Sequence, residues 1–215
     1  IKSELNIEKV WITENFEKKN VNIRRLLGNT SIDSILEQDL NKISKTKNPS
    51  GIIGVMNTSL GDIKKSDRRI IILDGISDPG NLGTILRTAN WFGIKNVILS
   101  EECVDQFNSK VVRAGMGSHF NMNIVRTDIV KYVTQLQSDN FKIIAAEIDT
   151  NNSIENLKLS DDKWALLMGN EAHGLSESIL SLVDCKIKIP QLGKIESLNV
   201  SVACGIFLYH ISRIK

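Results

Sequence analysis

Cross-linking and soft-metal chemistry is thinly provided for in this chain: three cysteines and three histidines in 215 residues. Cys103, Cys185 and Cys204 are odd in number and share no C-x-x-C spacing, which favours reduced thiols, packed as small apolar groups, over a disulfide framework. His119, His173 and His210 never fall at metal-ligand spacing with a carboxylate on one helix, so no metal site is expected. No apolar run approaches the ~20 residues needed to cross a bilayer, and the first residues form no signal-peptide core, so a cytoplasmic protein is expected. Three nucleotide and hydrolase signatures are also missing. No Gly-Lys-Ser/Thr closes a P-loop, no G-x-S-x-G elbow presents a nucleophilic serine, and Gly115-Met116-Gly117 lacks the third glycine and the strand of a dinucleotide fingerprint.

What remains is an ordinary soluble composition, 41% hydrophobic with a net charge of +2, enough for a substantial core. The charge is unevenly placed. Residues 1–69 hold 13 Lys/Arg against 9 Asp/Glu, whereas the remainder holds 14 against 16. A mildly basic front region suits contact with a polyanion such as RNA, and equally suits solvated helix faces.

The chain changes character near residue 65. In the front part Val10-Trp11-Ile12 reads as a strand, Ser31–Ile43 as a helix by the spacing of Ile32, Ile35, Leu36, Leu40 and Ile43, and Gly51–Met56 as a second strand. Asn57–Asp67 is rich in Ser, Gly, Asp and Lys and is taken as a linker, which sets domains at 1–65 and 66–215. The chain starts in mid-element at Ile1, so the front domain is expected to be truncated at its N-terminus.

After Arg68 strands and helices alternate. Apolar runs are expected at 69–73, 95–99, 120–125, 141–148, 164–168 and 185–189, separated by helices at 81–92, 108–114, 128–137, 176–183 and 199–212. Strands apolar at every position imply a parallel sheet covered on both faces, an α/β fold, and in such sheets ligands bind at the loops leaving the carboxyl ends. Three loops there carry chemistry. Asp78-Pro79-Gly80-Asn81 turns into a helix bearing Arg87; Gly169 and Gly174 bracket Asn170, Glu171 and His173; Ser197 and Asn199 stand at the mouth of the last helix. Taken singly each has a plain reading: a tight turn with a solvent-facing arginine, an exposed loop histidine, two helix caps.

Together the loops are more specific. Asp78-Pro79-Gly80-Asn81-Leu82-Gly83 with Arg87-Thr88-Ala89, then Gly169-Asn170-Glu171 with Gly174-Leu175, then Ile189-Pro190 with Ser197-Leu198-Asn199-Val200-Ser201-Val202-Ala203 resemble, in order, the three motifs of the SpoU, or TrmH, family of RNA ribose 2′-O-methyltransferases in the SPOUT class. The resemblance spans about Arg68 to Arg213, and Ala172 and Gln191-Leu192 depart from the usual pattern without removing a reactive group. It implies a parallel sheet with helices on both faces and a C-terminal trefoil knot, preceded by a small α/β substrate-binding domain for RNA. It further implies a homodimer whose active site draws on both subunits, and S-adenosyl-L-methionine held by backbone groups at Leu167, Met168, Gly169, Ile189 and Leu198. The matching functional positions are Asn81, Arg87, Glu171, Ser197 and Asn199, with no metal.

On that resemblance Arg87 orients the ribose hydroxyl and adjacent phosphate or serves as a base. Asn81 and Asn199 supply neutral hydrogen bonds, Glu171 fixes loop or arginine geometry, and Ser197 holds its loop or the target nucleotide. Ribosomal RNA is expected ahead of tRNA because members with a front domain more often act there. The rivals are a non-catalytic RNA-binding module of the same fold and a generic doubly wound nucleotide-binding enzyme.

Overall fold

The computed structural model describes residues 7–56, 63, 66–159 and 163–214, so most of the expected linker 57–67 lies outside the described residues. The chain divides into two compact units, 1–59 and 60–215.

In the first unit β1 (Ile7–Ile12) is central: β2 (Ser31–Ser34) runs parallel to it and β3 (Ile52–Met56) antiparallel. Three short helices, α1 (Glu14–Lys19), α2 (Ile23–Leu27) and α3 (Glu37–Ile43), fill the connections. Alternation along β1 buries Val10 and Ile12, with Leu40 of α3 also in the core. Thr13 caps α1 by accepting from the Phe16 N–H at 3.3 Å, while its own N–H donates to Gly51 O at 2.8 Å. The helix expected over 31–43 is present only from Glu37. Ser31–Ser34 instead pairs with Lys9–Ile12, and the Ile35 N–H reaches Ile12 O at 3.0 Å. The backbone of a four-residue segment gains more from a waiting strand edge than from an extra helical turn.

The second unit holds six parallel strands in the order β6-β5-β4-β8-β7-β9: β4 (Arg69–Leu73), β5 (Asn96–Leu99), β6 (Asn123–Arg126), β7 (Lys142–Ala146), β8 (Trp164–Met168) and β9 (Cys185–Ile187). Helices α4 (Pro79–Trp91), α5 (Ser109–Gly115), α6 (Ile129–Ser138), α7 (Glu177–Leu180) and α8 (Val200–Ile211) join and cover them. β4 shows why the strands are apolar throughout. Ile71 and Leu73 enter one core cluster with α4 and α8, while Ile70 and Ile72 enter another with α6, so each face of the sheet has its own core. Among the described residues no helix is long and apolar enough to cross a membrane.

Helix starts follow the sequence closely. Asp78 caps α4, accepting from the Asn81 N–H at 2.8 Å with Pro79 in the first turn; Asn108 caps α5, Asp128 caps α6 and Asn199 caps α8. Ser176 stands before α7 without a capping hydrogen bond, and that helix is a single turn rather than the longer one expected over 176–183. The strand expected from Phe120 begins at Asn123, because Ser118–Asn121 forms a 3₁₀ turn in which the His119 ring lies 2.8 Å from Gln106 O. Burial pushes the Cys204 thiol up to about 12, leaving it a small apolar group.

Two features of this unit generate tests. Helices α4 and α5 approach closely at Gly83, where an added Cβ would lie 2.5 Å from Ala114 Cβ and 2.6 Å from Val111 O. Gly83→Ala should therefore destabilise by about 1–3 kcal/mol, read as a fall in Tm of about 2–4 °C per kcal/mol in thermal unfolding. An unchanged Tm would show that the helices separate at no cost.

At the end of β4, the Asp74 carboxyl is held above the ordinary carboxylate range chiefly by burial and further by the charge of Glu102, partly offset by Ser100. The folded chain thus takes up this proton at a higher pH than the unfolded chain. Its contribution to stability is complete below the unfolded carboxyl pKa and is lost as pH rises through the folded value. Asp74→Asn should flatten that part of the decline in denaturant midpoints measured across a pH series, and an identical slope would remove Asp74 as its source.

Candidate active site

The site begins with strand pairing. β4 and β8 are neighbours in register, Leu73 opposite Met168, so the loops leaving them emerge side by side at the carboxyl edge. Asn170 ties the two together: its Nδ2 donates to Gly75 O at 2.7 Å, while its Oδ1 accepts from the Ala172 N–H at 2.8 Å. Residues 170 and 174 exchange backbone hydrogen bonds of 3.2 and 2.9 Å, folding Glu171, Ala172 and His173 into an exposed turn. Gly169 is indispensable to that turn, because a Cβ there would sit 2.3 Å from the Gly174 carbonyl carbon.

The first loop is also braced from behind. Ser100 Oγ accepts from the Gly75 N–H at 2.9 Å, and Cys103 Sγ accepts from Ile76 N–H and donates to Leu73 O, both at 3.3 Å. Arg126 holds that bracing segment in turn, its guanidinium donating to the carbonyls of Ser100, Glu101, Cys103 and Val104 and to Gln106 Oε1 at 2.8–3.1 Å. Sequence reasoning passed over Arg126 and Cys103, since nothing in their local spacing reveals a partner loop more than twenty residues away.

At the exposed mouth three predicted residues meet. Asn81 Nδ2 donates to Glu171 Oε1 at 2.6 Å, and Asn81 Oδ1 accepts from Asn199 Nδ2 at 2.9 Å. Asn199 Oδ1 is occupied in capping α8, accepting from Ser201 Oγ at 2.6 Å and from the N–H groups of Ser201 and Val202. Asn199 is thus both a cap and a link, and one continuous relay joins the three motif loops. Glu171 meets Asn81 rather than an arginine.

Arg87 lies apart from the relay on the exposed stripe of α4 with Thr84 and Trp91, and it makes no hydrogen bond or ion pair among the described residues. Ser197 is likewise exposed and does not cap α8.

Next to Glu171 opens a cavity of about 840 Å³ between the second and third loops. Met168, Gly169, Ile189 and Leu198 line it, with Phe207 and Val200 at its apolar floor. The Leu167 side chain is fully buried in the core on the opposite side of the sheet, as the period-two alternation of β8 requires, so only its backbone, the part the resemblance assigns, could serve a ligand here. Volume, apolar lining and a few polar groups are those of a site for a nucleoside-sized molecule. Among the described residues no cluster of three His, Cys, Asp or Glu gathers for a metal.

Comparisons with known proteins agree with this architecture. Residues 68–209 match the SpoU rRNA Methylase family. A relative in Bacillus subtilis, the 23S rRNA (guanosine(2553)-2′-O)-methyltransferase RlmP, is 32% identical over 81% of this chain and 70% of its own. Among solved structures, an AdoMet-bound rRNA methyltransferase from Sinorhizobium meliloti superposes with a TM-score of 0.84 at 28% identity, covering 98% of this chain and 81% of that one. A TrmH-family chain from Porphyromonas gingivalis superposes with a TM-score of 0.85 at 26% identity, covering 96% and 82%. With the three motifs hydrogen-bonded into one site, and a family match running from the first strand of the parallel sheet nearly to the end of its last helix, the chain belongs to the SpoU rRNA methylase family.

Proposed function

We propose that this protein transfers the methyl group of S-adenosyl-L-methionine to a ribose 2′-hydroxyl of structured RNA, with ribosomal RNA as the substrate and the cytoplasm as its place of action. The observation that carries this reading is the relay Glu171–Asn81–Asn199, whose Glu171 also lines the cavity. The 32% identity to a 23S rRNA 2′-O-methyltransferase and the fold match to an AdoMet-bound rRNA methyltransferase support the reaction and the choice of RNA.

The cavity fits the donor. Gly169, where no Cβ is tolerated, keeps the second loop folded close against the strand end, and Met168, Ile189 and Leu198 supply apolar contact for a flat nucleoside. When bound, the donor supplies an electrophilic methyl on a sulfonium. The protein must then align the 2′-oxygen behind that methyl and stabilise the charge the oxygen gains as its proton leaves. Arg87 is assigned this task, since a guanidinium presents fixed donors for a phosphate or alkoxide oxygen and is a poor base. With no hydrogen bond or ion pair to it among the described residues, those donors are left for substrate. Asn81 and Asn199 hold the loops at a fixed spacing, Glu171 locks the Asn81 amide, and exposed Ser197 is placed to meet the nucleotide.

The same proposal includes a homodimer. Exposed Val202, Ile206 and Tyr209 form an apolar stripe on α8, which packs beside α4 at Gly205 and Thr88, so a second copy on this stripe would lie next to Arg87. The trefoil knot belongs here too. In support, the chain leaves β9 at the sheet edge, pairs at Lys188 with Ser153, and returns through 189–199 to α8, which packs against α4. The front unit, mildly basic, is proposed to bind RNA.

Calorimetric titration with S-adenosylmethionine and S-adenosylhomocysteine, beside NAD and ATP, should show binding of the methyl-donor pair alone. Labelled methyl should then enter rRNA as 2′-O-methylnucleoside; donor binding with no transfer to any RNA would instead favour a non-catalytic module. Arg87→Ala should cut transfer at least about 10²–10³-fold while cofactor affinity stays near wild type, and normal turnover would remove Arg87 from the mechanism. Gly169→Ala should weaken cofactor binding about 10-fold or more, and unchanged affinity would place the cofactor elsewhere.

A further inference from the structure

Resting on the cofactor assignment above, we infer that the Glu147 carboxylate binds the ribose diol of the methyl donor's nucleoside. Glu147 follows β7, and its backbone N–H donates to Ile187 O at 2.9 Å, which seats it at the carboxyl edge between β7 and β9. One carboxylate oxygen, Oε1, accepts from the backbone N–H groups of Ile148 at 2.9 Å and Asp149 at 3.3 Å. The side chain is thereby fixed in direction, while Oε2 has no partner among the described residues and Glu147 lines the cavity.

A carboxylate offers acceptors only, so its natural complement in a ligand is a donor, and two vicinal hydroxyls present donors side by side. A carboxylate near a strand end reading a ribose is a recurrent solution in parallel α/β sheets. Position selects the nucleoside. The reacting sulfur must face Asn81, Glu171 and Arg87 at the β4 and β8 loops, and Glu147 lies one strand further out. The side chains of Ile148, Leu192 and Ile195 also line the cavity and suit a purine. The other lining carboxylates are less suited: Glu171 is engaged by Asn81, and Glu196 is exposed on the 190–199 loop with no strand to hold it. Lys188 lines the same cavity and would attract the amino-acid carboxylate, so the rival ligand for Glu147 is the ammonium of that tail.

The test is calorimetry on the full chain and its Glu147→Ala and Glu147→Gln variants, each checked for an unchanged melting curve. The probes are S-adenosylhomocysteine, its 2′,3′-dideoxy analogue, and 5′-methylthioadenosine, which keeps the diol and lacks the tail. Removing the diol should weaken wild-type binding about 10- to 100-fold. Glu147→Ala should lose a similar factor for S-adenosylhomocysteine and for 5′-methylthioadenosine, with no further loss on removing the diol. Glu147→Gln, which keeps an acceptor for the Ile148 and Asp149 N–H groups, should fall between. The assignment is overturned if the diol and Glu147 losses are additive, or if 5′-methylthioadenosine binds the alanine variant as it binds wild type. A wild-type chain that binds none of the three would overturn the cofactor assignment, and this one with it.

Discussion

The parallel pairing of β4 with β8 is the constraint from which the rest of the catalytic unit follows. Strands 69–73 and 164–168 are about ninety-five residues apart in the chain, yet their register puts Leu73 opposite Met168 and brings the loops after them into hydrogen-bonding distance. Asn170 then has Gly75 O within reach, and Asn81 has Glu171. A one-residue slip would exchange the two faces of β8, burying Met168 where Leu167 now lies and turning Leu167 toward the cavity. The sheet therefore acts as a positioning device, with loop chemistry as its product.

Within the site most polar side chains hold other loops in place. Individually such hydrogen bonds net only ~1 kcal/mol, so their importance lies in geometry more than in stability. Asn81 is central because an amide can donate and accept at once. It donates a hydrogen bond to Glu171 and accepts one from Asn199, a dual role that a carboxylate or an ammonium could not fill. Arg126 does similar work at a distance, gathering several carbonyls so that Ser100 and Cys103 stay under the first loop. Against this network Arg87 stands out as a cation the fold leaves unsatisfied among the described residues, on the stripe of α4 that faces outward.

Most of the catalytic unit was legible in the chain itself. Runs such as Arg69–Leu73 and Trp164–Met168 needed only apolarity to be read as buried parallel strands, and Asn108, Asp128 and Asn199 marked helix starts because a cap is a local interaction, whereas Asp78-Pro79-Gly80 reads as a turn and proves to be the cap and first residues of α4. Reading failed where the deciding partner was remote. Ser31–Ser34 has helical spacing yet pairs with β1, and Ser197 looks as able a cap as Asn199 yet caps nothing.

The sequence by itself determined the alternation of elements, the helix caps and the three ordered motifs, since each depends on residues within a few positions of one another. Only the tertiary structure decided which groups meet: Asn81 with Glu171 and Asn199, Asn170 with Gly75, Arg126 with the segment beneath the first loop. The reason is physical. Local conformation is set by nearby sterics and backbone hydrogen bonding, whereas the meeting of side chains ninety or more residues apart is set by strand order and register, which the whole core chooses together.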